Sequence, residues 1–226
     1  MDNGLYKARY CVFEDDFGPL SDITDLTGPY NWTAAGVGAL VPVTADLLDQ
    51  AFGVLRINDA GTADNGYVSF VTNHEWVIPA TNKRILYKLR LNLTQATDCD
   101  CHIGLMDVAA TDIVAGIVTG FYFRKDDGDT NWDFVIEDAS VETVEAAIHT
   151  AVADTDVEFA FEWLSLGANK GQLWVYVDGK PVSGLNGKYY ASGAPNALMG
   201  LGGVVRNGNA SNTKMELDYH AVAIER

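Results

Sequence analysis

The segment "RILYKLRLNL", residues 84 to 93, sets Ile85, Tyr87, Leu89, Leu91 and Leu93 against Lys88, Arg90 and Asn92. An apolar residue at every second position is the period of a β-strand with one buried face. The same period recurs along the chain. "NWDFVIED" sets Trp132, Phe134 and Ile136 against Asp133, Val135 and Glu137, and "VEFAFEWLSL" sets Phe159, Phe161 and Trp163 against Glu158, Ala160 and Glu162. "YVSFV", "CHIGLMDV", "GIVTGFYFRKD", "QLWVYV", "ALMGLGGVV" and "KMELDYHAVAI" bring the total to about ten strand segments, separated by Gly, Asp and Asn turns. The pattern predicts an all-β fold, a sandwich or a barrel. Helical periodicity is nearly absent. "TADLLDQAF" (44 to 52) has room for one or two turns, and "VETVEAAIHTAV" (141 to 152) reads equally as helix and as strand-loop-strand.

With 226 residues, 48% hydrophobic and 20% charged, the chain can bury a core of its own. No Pro/Ser linker, charge block or internal repeat divides it. The first 30 residues, with "FEDDFGPLSDITDLTGPYNW", are rich in Asp, Gly and Pro and read as an extended N-terminal arm, followed by one domain over residues 31–226. The arm has few apolar anchors, Tyr6, Tyr10, Val12 and Phe13. A net charge of −16 repels phosphate backbones and argues against nucleic acid as a partner. No apolar run approaches the roughly 20 residues that cross a bilayer as a helix. The N-terminus shows no apolar signal core, so synthesis in a cytoplasm is expected.

Motifs with chemistry are weak. Cys99 and Cys101 in "DCDCHIG" would share one strand face with His102 on the other; no second Cys/His pair completes a zinc site, and reduced structural thiols are the simpler account. "KDDGDTNWD" offers Asp127, Asp129 and Asn131 at calcium-loop spacing, but Trp132 stands where glycine is needed, so a hairpin turn competes with a calcium site. Glu216 and Asp218 share one strand face like the acid pair of a glycosidase; this strand, the last in the chain, is expected at a sheet edge where solvation explains its acids. The histidines, His74, His102, His149 and His220, form no triad, and no nucleophile elbow or phosphate loop occurs. The expectation is a non-enzyme without a cofactor.

"QLWVYVDGKPV" (172 to 182) is apolar on both faces: Leu173, Val175 and Val177 fit the inside, which leaves Trp174 and Tyr176 outside, ahead of an Asp-Gly turn. Together with "EDDFGPL", "ADNGYVSF", "RILYKLRLNL" and "GFYFRKDDGDTNWDF", this stretch resembles the concanavalin A-like (laminin-G-like) jelly-roll domains found in virion proteins of tailed bacteriophages. The resemblance implies a two-sheet antiparallel jelly-roll sandwich and a non-enzymatic virion structural protein. A capsid decoration protein on the outer shell fits best, with the major capsid protein as partner and a homo-oligomer, such as a trimer, as its form. The alternative is a carbohydrate-binding adhesin module using exposed aromatics to stack on a glycan. Candidate interaction residues are Tyr6, Tyr10, Phe13, Trp132, Trp174 and Tyr176.

Overall fold

The computed structural model describes residues 10–15, 32–36, 39–42, 54–58, 66–72, 77–107, 117–209 and 213–226. These residues form fifteen strands and no helix, arranged as two antiparallel sheets. In spatial order the first sheet runs β13 (Lys180–Tyr190), β12 (Lys170–Val177), β11 (Val157–Gly167), β6 (Arg84–Leu93), β15 (Lys214–Glu225), β4 (Leu55–Asn58) and β3 (Ala39–Pro42). β1 (Tyr10–Asp15) pairs with the second half of β15, from Tyr10 opposite Glu225 to Asp15 opposite His220. The second sheet runs β10 (Val141–Thr150), β9 (Asn131–Asp138), β8 (Gly120–Lys125), β7 (Cys99–Met106), β14 (Gly200–Asn207), β5 (Tyr67–Thr72) and β2 (Trp32–Gly36).

The alternation read from the sequence decides which side chains enter the core. Ile85, Tyr87, Leu89, Leu91 and Leu93 of β6, Phe159, Phe161 and Trp163 of β11, and Leu173 and Val175 of β12 are buried inward. Across from them lie Cys101, Ile103 and Leu105 of β7, Phe121 and Phe123 of β8, and Trp132, Phe134 and Ile136 of β9. Rings from the two sheets interdigitate: Phe123 stacks on Phe159 at 4.7 Å, and Phe121 meets Trp163 at 5.0 Å. Truncating any one of them to alanine would cost about 3–5 kcal/mol.

One expectation changes and two segments gain definition. Residues 141 to 150 are a strand, β10, joined to β9 by the two-residue turn Ala139–Ser140. Both turn residues take positive φ, 51° and 63°, which a tight hairpin requires but which ordinarily calls for Asn-Gly. The absence of that signature is why the hairpin is ambiguous in the sequence. Residues 10–15, within the segment read as an N-terminal arm, pair with β15 as a strand of the first sheet. β15 is no edge: it lies between β6 on one side and β4 and β1 on the other. The turn at Asp178–Gly179 conforms to expectation, with φ of 49° and 71°. The segment 44–52 and Tyr6 lie outside the described residues.

A register shift between Leu217 and Tyr219 turns His220 inward, where it is fully buried and its Nε2 lies 2.6 Å from the Tyr87 hydroxyl. Burial pushes the imidazole down from 6.5 to about 3. The unfolded chain therefore binds a proton below pH 6.5 that the folded chain refuses until about pH 3. This contribution to stability is full above pH 6.5 and is lost progressively as pH falls. Between pH 7.5 and 5 the loss from this group should be about 2 kcal/mol. Urea unfolding over that range should show a flatter pH profile for His220→Gln than for the wild type; parallel profiles would contradict the assignment. In the hairpin, Ala139→Asn with Ser140→Gly should raise stability by about 1 kcal/mol, measured the same way, because both replacements tolerate positive φ.

Candidate functional site

Pairing in the first sheet lays its outward side chains in rows. One row crosses five strands as Trp174, Glu162, Leu86, Ala223 and Val12. The next crosses as Tyr176, Ala160, Lys88 and Ala221. Because Ala160, Ala221 and Ala223 carry only a methyl group, the rows enclose a shallow apolar hollow of about 240 Å³, bordered by Val12, Leu86 and Tyr176. Val12 is 48% exposed there. The strand face expected to lie outside thus does so, and it meets β1 on a single surface.

Ion pairs frame the hollow. Arg84 pairs with Glu162, Lys88 with Glu158 at 2.7 Å, and Arg90 with Asp156 at 2.7 Å. Burial alone would raise the Glu158 carboxyl, but hydrogen bonds from Lys88 and Tyr219 outweigh it and hold the group below its ordinary range. Trp174 is not an open platform. The Arg84 guanidinium lies 5.6 Å from its ring centre, and a Cβ built on Gly187 would stand 3.3 Å from the indole nitrogen. β13 passes close over the ring at Gly187, where a φ of 80° favours glycine.

Of the other sequence candidates, Trp132 is corrected. It is 2% exposed and packs on Phe159 at 5.0 Å, so it belongs to the core and offers no stacking face to a ligand. Tyr10 and Phe13 lie in β1, opposite Glu225 and Val222. Glu216 accepts from Arg56 at 2.8 and 2.5 Å, and Asp218 lies 3.4 Å from Arg90. Each acid is matched by an arginine within the sheet, in place of the edge solvation expected.

Cys99 and Cys101 face the core and His102 the opposite side, as the alternation predicts. Burial pushes the Cys99 thiol up to about 11, with Lys125 opposing, so it stays protonated and unreactive at neutral pH. Asp127, Asp129 and Asn131 sit in the β8–β9 hairpin: the Asp129 carboxylate accepts from the Asn131 amide at 3.0 Å, and the Asp127 amide donates to Asp100 at 2.7 Å. Beneath this turn Lys125, 0% exposed, donates to the carbonyls of Thr97, Cys99 and Asp126 at 3.1, 3.1 and 2.9 Å. A lysine nitrogen thus gathers the carbonyls that a bound cation would gather elsewhere.

A polar network on the outer face of the second sheet is not among the sequence candidates. Glu137 and Glu142 face each other across β9 and β10, and the Tyr122 hydroxyl reaches both carboxylates, at 2.8 and 3.4 Å. Arg124 links Glu142 at 2.8 Å to Asp126 at 3.2 Å, and His102 stacks on Tyr122 at 5.5 Å. Burial raises the Glu137 carboxyl despite the Tyr122 hydrogen bond, and His102 lowers Asp126. Glu137 is only 5% exposed, so the network holds strands together more readily than it meets a substrate. Outward alternation of Tyr122, Arg124, Asp133 and Glu137 was the available signal, but the cross-strand register that unites them was not.

No family model matches the chain, and no curated protein does. Solved structures do. A protein of unknown function from Shewanella oneidensis MR-1 aligns at TM-score 0.61 and 15% identity over 96% of this chain and 87% of that one. The metal-free carbohydrate recognition domain of Emp46p aligns at 0.60 and 10% identity over 92% and 93%. An endo-1,3-β-glucanase from Streptomyces sioyaensis aligns at 0.61 and 12% identity over 96% and 97%. The fold is therefore a concanavalin A-like jelly roll, an architecture shared by lectins and hydrolases.

The Lys125 arrangement yields a test. Lys125→Met should lower unfolding stability by about 1–3 kcal/mol in urea, because it removes the ammonium from three carbonyls, of which Thr97 and Asp126 keep the backbone amides of Gly128 and Asp129 as donors. Chelator should leave the wild-type melting temperature unchanged. A variant as stable as the wild type, or a chelator-sensitive wild type, would contradict this account of the turn.

Proposed function

We propose that the chain is a non-catalytic virion surface module of a tailed bacteriophage, a capsid decoration protein that docks on the major capsid protein through the outer face of its first sheet. The observation that carries this reading is the apolar hollow of Val12, Leu86, Ala160, Tyr176, Ala221 and Ala223 within its frame of ion pairs. A flat apolar centre with a charged rim is the anatomy of a protein interface. Of the three aromatics expected to stack on a glycan, Trp174 lies beneath Arg84 and Trp132 is in the core, which leaves only Tyr176 at the hollow. The sequence resemblance to phage virion jelly rolls supports the same reading. Many copies on one lattice would let modest contacts add through multivalency. Since β1 is part of the sheet, removing the first 20 residues would damage the fold as well as the interface.

A second reading, a carbohydrate-binding adhesin module, is favoured by the neighbours: the Emp46p domain is named for carbohydrate recognition.

Purified heads of the phage that encodes the chain would test the first reading. Tyr176→Ala and Ala223→Glu should keep the wild-type circular dichroism spectrum and melt within a few degrees of it. Occupancy on heads should fall by about ten-fold or more, as expected when a contact centre loses a ring or gains an unpaired charge. Wild-type occupancy by both variants would remove this face from the interface.

A further inference from the structure

We infer that the groove between the end strands of the two sheets is a binding site for a short uncharged oligosaccharide. The inference deepens the carbohydrate reading above and rests on it. β10 closes one sheet and β13 the other, and each breaks its ladder. On β10 the register shifts between Glu145 and His149. On β13 residues 182 to 185 stand between Pro181, opposite Tyr176, and Asn186, opposite Trp174. The two breaks line one groove of about 590 Å³, within the size range of small-ligand sites. Bulges on end strands commonly re-aim side chains beside functional sites.

The groove's backbone is held in place. Ala147 takes a φ of +56°, and its amide donates to the Asp133 carboxylate at 2.7 Å. A non-glycine residue in that region persists only where its surroundings enforce it. Ile148, Val177, Val182 and Leu185 form an apolar floor, while His149 and Ser183 supply polar groups.

Ligand class follows from edge chemistry and charge. Strand addition by a peptide is opposed, since Pro181 has no amide hydrogen and Gly184 and Gly187 take φ of 82° and 80°. The charged residues lining the groove balance: Glu145 and Asp178 against Lys180 and Lys188. Glu145 already accepts from Lys188 at 2.5 Å and from the Tyr190 hydroxyl at 2.6 Å, and Asp178 accepts from the Glu158 amide at 3.0 Å. This neutral patch lies in a chain of net charge −16, whose field disfavours polyanions. An uncharged polyhydroxylated ligand, bound by separately placed hydrogen bonds over an apolar floor, suits that combination. The groove is lined by β10, β13, the last residue of β12 and the turn that follows it, apart from the hollow of Val12, Leu86 and Tyr176, so it stays open when that hollow is covered.

Amide chemical-shift mapping of the full chain would test this, with laminari-, malto-, cello- and manno-oligosaccharides at up to 10 mM as probes and alginate oligomers as the acidic control. At least one neutral series should shift the amides of Ala147, His149 and Gly184. Lys188→Met and His149→Ala should each weaken it about five-fold or more, as expected when a hydrogen-bonding group is lost, and Tyr176→Ala should leave it unchanged. Shifts confined to another face would overturn the groove and leave the carbohydrate reading standing. No shifts with any neutral series would overturn both. Alginate binding as tight as the neutral sugars would overturn the assignment of ligand class.

Discussion

The aromatic layer between the sheets is the constraint from which the rest follows. Phe159, Phe161 and Trp163 on β11 must meet Phe121, Phe123 and Phe134 from the facing sheet. Side chains alternate along a strand, so placing those three inward sends Glu158, Ala160 and Glu162 outward. The pairing of β11 with β12 then sets Trp174 beside Glu162 and Tyr176 beside Ala160. A one-residue slip would bury glutamates and expose rings. The composition of the outer face is thus dictated from within, and its apolar hollow arises because three of its outward positions are alanine.

Charge frames that face without holding it together. Exposed ion pairs such as Lys88–Glu158 and Arg90–Asp156 contribute little individually to stability. Their effect is to occupy the carboxylates of β11 and β15 with bases from β6 and β4, so that a net charge of −16 does not fall evenly on this surface. An acidic chain can in this way present one face without an excess of negative charge.

What could be read from the sequence was periodic and local. The inward set of β6, the faces of β12, the thiols beneath His102 and the Asp-Gly turn all follow from period two and turn chemistry. What could not be read depends on partners distant in sequence. Chain order does not reveal that the last strand lies inside its sheet, and pairing alone unites Tyr122 with Glu137 and Glu142. Trp132 is a different case: its alternation with Phe134 and Ile136 already put it inward, and its aromatic character suggested a platform that its position rules out. β10 escaped because positive φ at Ala139 and Ser140 is enforced by the fold, not announced by glycine.

The proposed docking of the first sheet's outer face is tested most directly by hydroxyl-radical footprinting of Val12, Leu86 and Tyr176, comparing the free chain with the chain bound to purified heads. The account predicts strong protection of all three on heads, with His149 and Val182 of the groove oxidised equally in both states. Equal oxidation of Val12, Leu86 and Tyr176 in the two states, or protection confined to another face, would contradict it.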